Sequence, residues 1–244
     1  MPNGSTSIKI KRKDVNTVNE LLFFATILTT FGLVVLAHYL FGKEGLYAWI
    51  AFAVVFANIL VTKCIRLFGM EVTLGNVLFG TVFLCTDMLN EMHSYRESRR
   101  GVYIGLFAIL SYLALSQLGL RFIPSDLDTV DGAMQTLFAL SPRVCLASVS
   151  MFLFSNLLDV WLFQKLKKAT GGGMLWLRNN LATCISQVVE NFFFHLIAFG
   201  GFMDISTIVE LTFCVSLVEV LVALCDTPFL YLARRICSRI RPME

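Results

Sequence analysis

The chain has 244 residues and a net charge of +3, and its composition is 57% hydrophobic and only 15% charged. Soluble globular chains are roughly 45–50% apolar and about 25% charged, so a bilayer has to take up the excess apolar surface and a soluble protein is excluded. The mean hydropathy of +0.73 agrees. The basic residues gather at the termini and in a few loops, the pattern of membrane orientation signals rather than of a nucleic-acid surface.

In chain order, the polar and basic stretch 1–17 carries Lys9, Lys11, Arg12 and Lys13 and is followed by an apolar run at 18–41. That run is too long for a signal-peptide core and is expected to stay as the first span. Further apolar runs lie at 46–64, 72–90, 101–120, 137–164, 175–200 and 206–236. All have helical length and strand-like alternation is absent, so the fold class expected is all-α and a β-barrel is excluded. The domain reading is one transmembrane unit at 18–236 between cytoplasmic basic tails at 1–17 and 237–244.

Short-loop Lys and Arg mark the cytoplasmic side. Lys63 with Arg66, the group Arg96, Arg99 and Arg100, the group Lys165, Lys167 and Lys168, and both tails all ask to be inside. Seven full spans cannot satisfy that parity. The third run is short and interrupted by Gly75, Asn76 and Gly80, so the expectation is six spans with a re-entrant or broken third segment. The alternative is seven spans with one basic loop outside. The acidic loop 121–132 falls outside in either case. A shift of 98 or 99 residues lays Phe56-Ala57-Asn58-Ile59-Leu60 on Phe154-Ser155-Asn156-Leu157-Leu158 and Cys85…Glu91 on Cys184…Glu190, the mark of a possible internal repeat. Transporters built from two such halves hold their substrate between them near the midplane.

An ionised side chain at a helix centre costs roughly 2.5–3.5 kcal/mol on insertion scales, which makes each one a functional candidate. Asp87, Glu91, Arg143, Asp159, Arg178, Glu190, Glu219 and Asp226 are such residues, joined by the amides Asn58, Asn156, Gln187 and Asn191. Asp87 with Glu91, Asn156 with Asp159, and Gln187 with Glu190 each share a helical face, and three such faces can converge on one polar cavity. Simpler readings exist for three of them: Asp159 as a helix-end residue near Lys165, Glu91 paired with Arg96 or Arg99, and Arg143, after the cap and first-turn proline Ser141-Pro142, near the outer surface. Pro228 marks a kink near Asp226.

Gly101-x-x-x-Gly105 suits close helix packing. Seven cysteines without a C-x-x-C pair read as reduced apolar side chains, and His93 and His195 stand isolated, so no metal is called for. No H-E-x-x-H, G-x-S-x-G or G-K-[ST] pattern occurs, so neither catalysis nor a cofactor is indicated.

The ordered set Asn58…Lys63, Thr86-Asp87-x-x-x-Glu91, Ser141-Pro142-Arg143 with Ala147-Ser148, Asn156-x-x-Asp159, Trp176-x-Arg178, Thr183, Gln187-x-x-Glu190, Phe194 through Ala198-Phe199-x-Gly201, and Thr227-Pro228-x-x-Tyr231 resembles the queuosine precursor transporter family, earlier described as vitamin uptake transporters. The resemblance runs from about Asn58 to the C-terminus. It departs after Gln187, where the family usually shows Asp-Thr and this chain has Glu190-Asn191. It implies import of 7-cyano-7-deazaguanine, 7-aminomethyl-7-deazaguanine or queuine across a bacterial inner membrane. The substrate-binding residues expected are then Asp87, Glu91, Asn156, Arg178, Gln187, Glu190, Asn58, Asp159 and Trp176. Phe83, Phe193 or Trp176 would stack on the flat ring. The partners implied are a small 7-deazaguanine and the lipid bilayer, with no nucleic acid. A substrate-binding subunit of an energy-coupling vitamin-type system is the alternative; the first span shows only Ala25 and Ala37 of the small-residue face that such a subunit would favour.

Overall fold

The structure is a computed structural model that describes residues 12–138 and 142–240, with side chains described for 17–138 and 142–237. Its elements are α1 (Arg12–Leu60), β1 (Cys64–Leu67), β2 (Met70–Thr73), α2 (Asn76–Met92), α3 (Tyr95–Gly119), α4 (Asp131–Phe138), α5 (Pro142–Ala169), α6 (Leu175–Phe199) and α7 (Ile205–Ile240). Among the described residues, five helices are long and apolar enough to cross a membrane: α1, α3, α5, α6 and α7. The chain is a multi-pass helical bundle. The outer parts of the two basic tails, and Ser141 of the Ser-Pro-Arg motif, lie outside the described residues.

At 49 residues, α1 would reach about 73 Å if straight, more than twice a hydrocarbon core of about 30 Å. It is in fact a helical hairpin, reversed at Gly42, whose φ of 64° and ψ of −141° only glycine adopts without strain. The reversal is shown by its neighbours. Asn19 in the first arm donates to the Arg66 carbonyl just past the second arm, and Phe23 and Phe24 pack on Phe68. At the turn, Lys43 pairs with Glu97 and Tyr47 bonds the same carboxylate. Beside it, Gly45 sits so close to the Ala37 carbonyl that a Cβ would lie 2.3 Å from it.

The second arm leads into an antiparallel β-hairpin, Cys64 opposite Thr73 and Leu67 opposite Met70. Its two-residue turn, Phe68-Gly69, has φ of 51° and 83°, the paired positive values of a tight hairpin turn. This hairpin was not anticipated from the sequence, because each strand has only four residues and most of the hairpin falls in the short polar gap between two runs read as helical.

The third segment also differs from expectation. It is one unbroken helix, α2, and 14 of its 17 residues are buried. Gly75 and Gly80 are close-packing points rather than breaks: a Cβ at Gly75 would lie 2.7 Å from the Ala57 carbonyl, and one at Gly80 2.5 Å from Val222. Asn76 accepts from the Thr73 hydroxyl. The helix begins beside the end of the second arm and finishes beside the Gly42 turn, where His93 meets His38 at 3.2 Å. It therefore runs from one end of the bundle to the other without returning. His93, read from sequence as isolated, is thus one of a pair.

Around α2 pack α1, α3, α5 and α7, with α6 between α5 and α7. Gly101 and Gly105 let α3 approach Ile50 and Phe152, the close packing expected of that pair. Counting the two arms separately, seven helical passes are described, and the described chain starts at one end of the bundle and finishes at the other. The expectation of both termini on one face does not fit this path. Lys63 and Arg66 lie at the end opposite Arg96, Arg99 and Arg100. The second arm runs opposite to α5, and α2 runs opposite to α6, so the stretches that the 98- or 99-residue shift lays on one another run in opposite directions.

Candidate functional site

Helical periodicity turns scattered polar residues into stripes. On α6, Asn179, Thr183, Ser186, Gln187 and Glu190 recur every three or four residues. On α5 the stripe is Ser155, Asn156 and Asp159; on α2 it is Asp87 and Asn90; on α7 it is Ser216, Glu219 and Asp226. All of these except Glu190 and Glu219 are buried. The four stripes face one another inside the bundle, in tiers along its axis.

The first tier closes the end that carries the Gly42 turn. Glu91, at the end of α2, takes Arg178 from α6 at 2.5 Å, Lys167 from α5 at 3.0 Å and Arg234 from α7 at 3.4 Å. Arg178 is wholly buried, donates to the Gly172 and Gly173 carbonyls and lies over the Phe163 ring. It thereby ties the α5–α6 turn to α2. Lys167 also donates to the Asn90 and Glu91 carbonyls. Glu91 is thus paired with cations distant in sequence and makes no salt bridge to Arg96 or Arg99.

The second tier is carboxylate-rich. Asp87, Asp159 and Asp226 are buried, and the Asp87 and Asp159 carboxyls lie within hydrogen-bonding reach of each other, so the pair can share a proton. Asp159 accepts from the Thr183 hydroxyl at 3.0 Å and Asp226 from the Asn179 amide at 2.6 Å. Apart from the contact between Asp87 and Asp159, both oxygens of Asp87 and one of Asp159 are buried with no hydrogen-bond donor against them, and the side-chain amide oxygens of Asn90 and Asn179 share that condition. Buried polar groups are nearly always satisfied, so a cluster of exceptions calls for explanation.

The third tier lies at half height. Asn156 and Gln187 stand near the centres of α5 and α6, each with a buried amide oxygen without a partner, beside the unpartnered Ser186 hydroxyl. The Asn156 amide is closed onto the Phe152 carbonyl of its own helix. Glu190 accepts from Ser155 at 2.6 Å, and Glu219 accepts from Asn191 at 2.6 Å. Above them His195 meets Thr212. Arg143 caps α6 through the Ile197 and Gly200 carbonyls, near the bundle end as its place after Ser141-Pro142 suggested.

Of the residues singled out from sequence, Asp87, Asn156, Asp159, Gln187 and Glu190 come together in the second and third tiers. Glu91 and Arg178 meet in the first. Asn58 is bonded to the Val54 carbonyl of its own arm, and among the described residues no hydrogen bond links it to α5 or α6. Trp176 is 55% exposed and Phe193 44%, so both rings face outward; Phe83 is buried. Among the tier residues passed over in the sequence are Asn90 and Asn179. Their signal was helical phase: Asn90 follows Asp87 by three, and Asn179 precedes Thr183 by four. Among the described residues no group of three or more His, Cys, Asp or Glu has the arrangement to hold a metal ion. All seven cysteines are free, though only Cys85 is buried.

A family model described as "Putative vitamin uptake transporter" matches residues 73–233, from the end of β2 into α7. The chain belongs to this family. A curated member, "Probable queuosine precursor transporter" from Bacillus subtilis (strain 168), is 37% identical over 215 residues, which is 88% of this chain and 93% of that one. No solved structure matches. The tiers described above lie on α2, α5, α6 and α7 and, Arg234 apart, fall within the stretch matched by the family model. The protein is a membrane transporter of the vitamin uptake transporter family.

Proposed function

We propose that the protein imports a queuosine precursor, 7-cyano-7-deazaguanine, 7-aminomethyl-7-deazaguanine or queuine, by alternating access around the second and third tiers. The observation that carries this reading is Asp87, a buried carboxyl that meets no amide, hydroxyl or cationic donor and only the neighbouring Asp159 carboxyl, in a chain 37% identical to a protein named for that transport. A deazaguanine offers N1–H and an exocyclic NH₂ on one edge. A carboxylate accepts both, in the charge-assisted bonds that are strongest when desolvated. Asp87 and Asp159 face that edge, and Asn156, Gln187 and Glu190 supply the opposing amide and carboxyl groups.

Glu91 and Arg178 act in this reading as the closure at one end, which must part for substrate to leave. That end carries Lys43, Arg96, Arg99, Arg100, Lys165, Lys167, Lys168, Arg234 and Arg235. The other end of the described chain has Arg12, Lys13, Lys63, Arg66, Arg121 and Arg143, fewer cations, among Asp126, Asp128, Asp131 and Asp204. The first end is therefore cytoplasmic by the positive-inside rule.

The test is thermal unfolding of the purified protein with the three deazaguanines, guanine and riboflavin. A ligand of the folded state raises apparent stability by mass action, by about 2.7 kcal/mol at a hundred times its Kd. A shift with a deazaguanine and none with riboflavin is expected; no shift with any deazaguanine in folded protein defeats the proposal. The alternative is a binding subunit that needs an energising partner. Uptake by vesicles containing this chain alone excludes it, and binding without uptake establishes it.

A further inference from the structure

Outside the bundle, two grooves meet at Tyr95 and Arg99 on the basic end. One, of about 500 Å³, runs between α3 and α5 and is lined by Tyr95, Arg99, Phe154, Leu157, Leu158 and Trp161. The other, of about 430 Å³, lies along the first turns of α3. Arg99 is held in place: it donates to the Tyr103 hydroxyl at 2.9 Å and its guanidinium lies 5.8 Å from the centres of both the Tyr95 and Tyr103 rings. On α5, the Lys165 ammonium stands 4.2 Å from the Trp161 ring centre.

These cations are not neutralised by the protein. Among the described residues no carboxylate is within salt-bridge distance of Arg96, Arg99 or Lys165. The nearby Glu97 is engaged by Lys43 and Tyr47. The wall below the cations is apolar. From Lys165 to Phe154 along α5 is about 16 Å at a helical rise, close to half of a hydrocarbon core of about 30 Å. The groove thus has a cationic mouth, an aromatic rim at the depth where Trp and Tyr prefer to sit, and an apolar channel one leaflet deep.

We propose that this groove between α3 and α5 is a binding site for an anionic glycerophospholipid, with the phosphate between Arg99 and Lys165 and an acyl chain along Leu158, Leu157 and Phe154. Charge and shape select this occupant. A zwitterionic lipid would bring its own cation toward Arg99 and Lys165, and a free inorganic anion would leave the apolar wall unused. The site is separate from the tiers inside the bundle and does not depend on which substrate they carry.

The experiment is native mass spectrometry of the full chain in detergent, titrated with dioleoylphosphatidylglycerol and dioleoylphosphatidylcholine. Each cation near a membrane surface contributes roughly a fivefold preference for an anionic lipid. Phosphatidylglycerol is expected to be retained over phosphatidylcholine on the unaltered protein. The preference should fall toward one in the double variant R99Q/K165Q and persist in K63Q/R66Q at the opposite end. In parallel, phosphatidylglycerol with brominated chains should quench the unaltered protein more than W161F, a difference that needs no change to the cations. Equal retention of the two lipids, an unchanged preference in R99Q/K165Q, or equal quenching of W161F overturns the proposal.

Discussion

Two carboxylates one helical turn apart meet opposite fates on α2. Glu91 is surrounded by Arg178, Lys167 and Arg234, whereas Asp87 meets only another carboxyl, Asp159. Their shared face was legible from a spacing of four, but the pairing was not, because Arg178 comes from 87 positions further along the chain. Asp87→Asn keeps the volume and replaces one acceptor with a donor. A hydrogen bond to a charged group is worth about 1.5–3 kcal/mol, so uptake of radiolabelled substrate should fall roughly 10- to 100-fold while the variant still inserts and elutes as folded protein. Uptake at the unaltered rate would remove Asp87 from the substrate edge. Arg178→Ala should act on stability instead. Removing one partner of a buried ion pair costs about 3–5 kcal/mol, and the Gly172 and Gly173 carbonyls lose their donor as well. A large fall in Tm is expected, against a change under about 1 kcal/mol for Lys165→Gln, whose ammonium lies at the surface.

At the scale of elements, the glycines tell helix breaks from helix contacts. Sequence alone made Gly75 and Gly80 look like interruptions, because an isolated glycine inside a helical pattern lowers helix propensity. Tertiary packing overrides that preference where a neighbouring backbone needs the space. Gly75→Ala places a Cβ against the Ala57 carbonyl and should lower Tm measurably. Gly119→Ala, where nothing lies within 4 Å, should be neutral or stabilising by up to about 1 kcal/mol. Gly42→Ala has space enough but the wrong backbone. Its φ and ψ lie where a side chain costs about 1–3 kcal/mol, so differential scanning should show Tm lowered by the reversal alone. The β-hairpin escaped notice for a different reason. Strands of four residues are shorter than the windows in which periodicity can be read, and the turn signal at Phe68-Gly69 carries a bulky residue where Asn or Asp is usual.

For the whole molecule, composition was enough to establish a helical membrane bundle, and the resemblance to the family was legible from the order of its polar landmarks. Direction was not legible. The positive-inside rule sums loops, and the sum depends on how many times the chain crosses, which a reversal at one glycine and the passage of α2 decide. Cys64 is exposed at the end opposite the Arg96–Arg100 group. In a variant whose only cysteine is Cys64, a membrane-impermeant maleimide should label intact cells. A lone cysteine at Lys168→Cys should react only after permeabilisation. The reverse pattern would invert the proposed orientation and leave the bundle itself untouched.

The central place of α2 also sets a problem of timing during synthesis. A helix with a wholly buried carboxyl, Asp87, is made before three of the helices that surround its polar face. With Arg178 following Glu91 by 87 residues and synthesis at about 5–20 residues per second, its partner arrives roughly 4–17 s later. For that interval Asp87, Asn90 and Glu91 have only the arms of α1 and the nascent α3 beside them. The half-made protein must wait at the insertion machinery, or beside a membrane chaperone, until α6 is delivered. Chains truncated after α3 should therefore be retained there and degraded, and those truncated after α7 released.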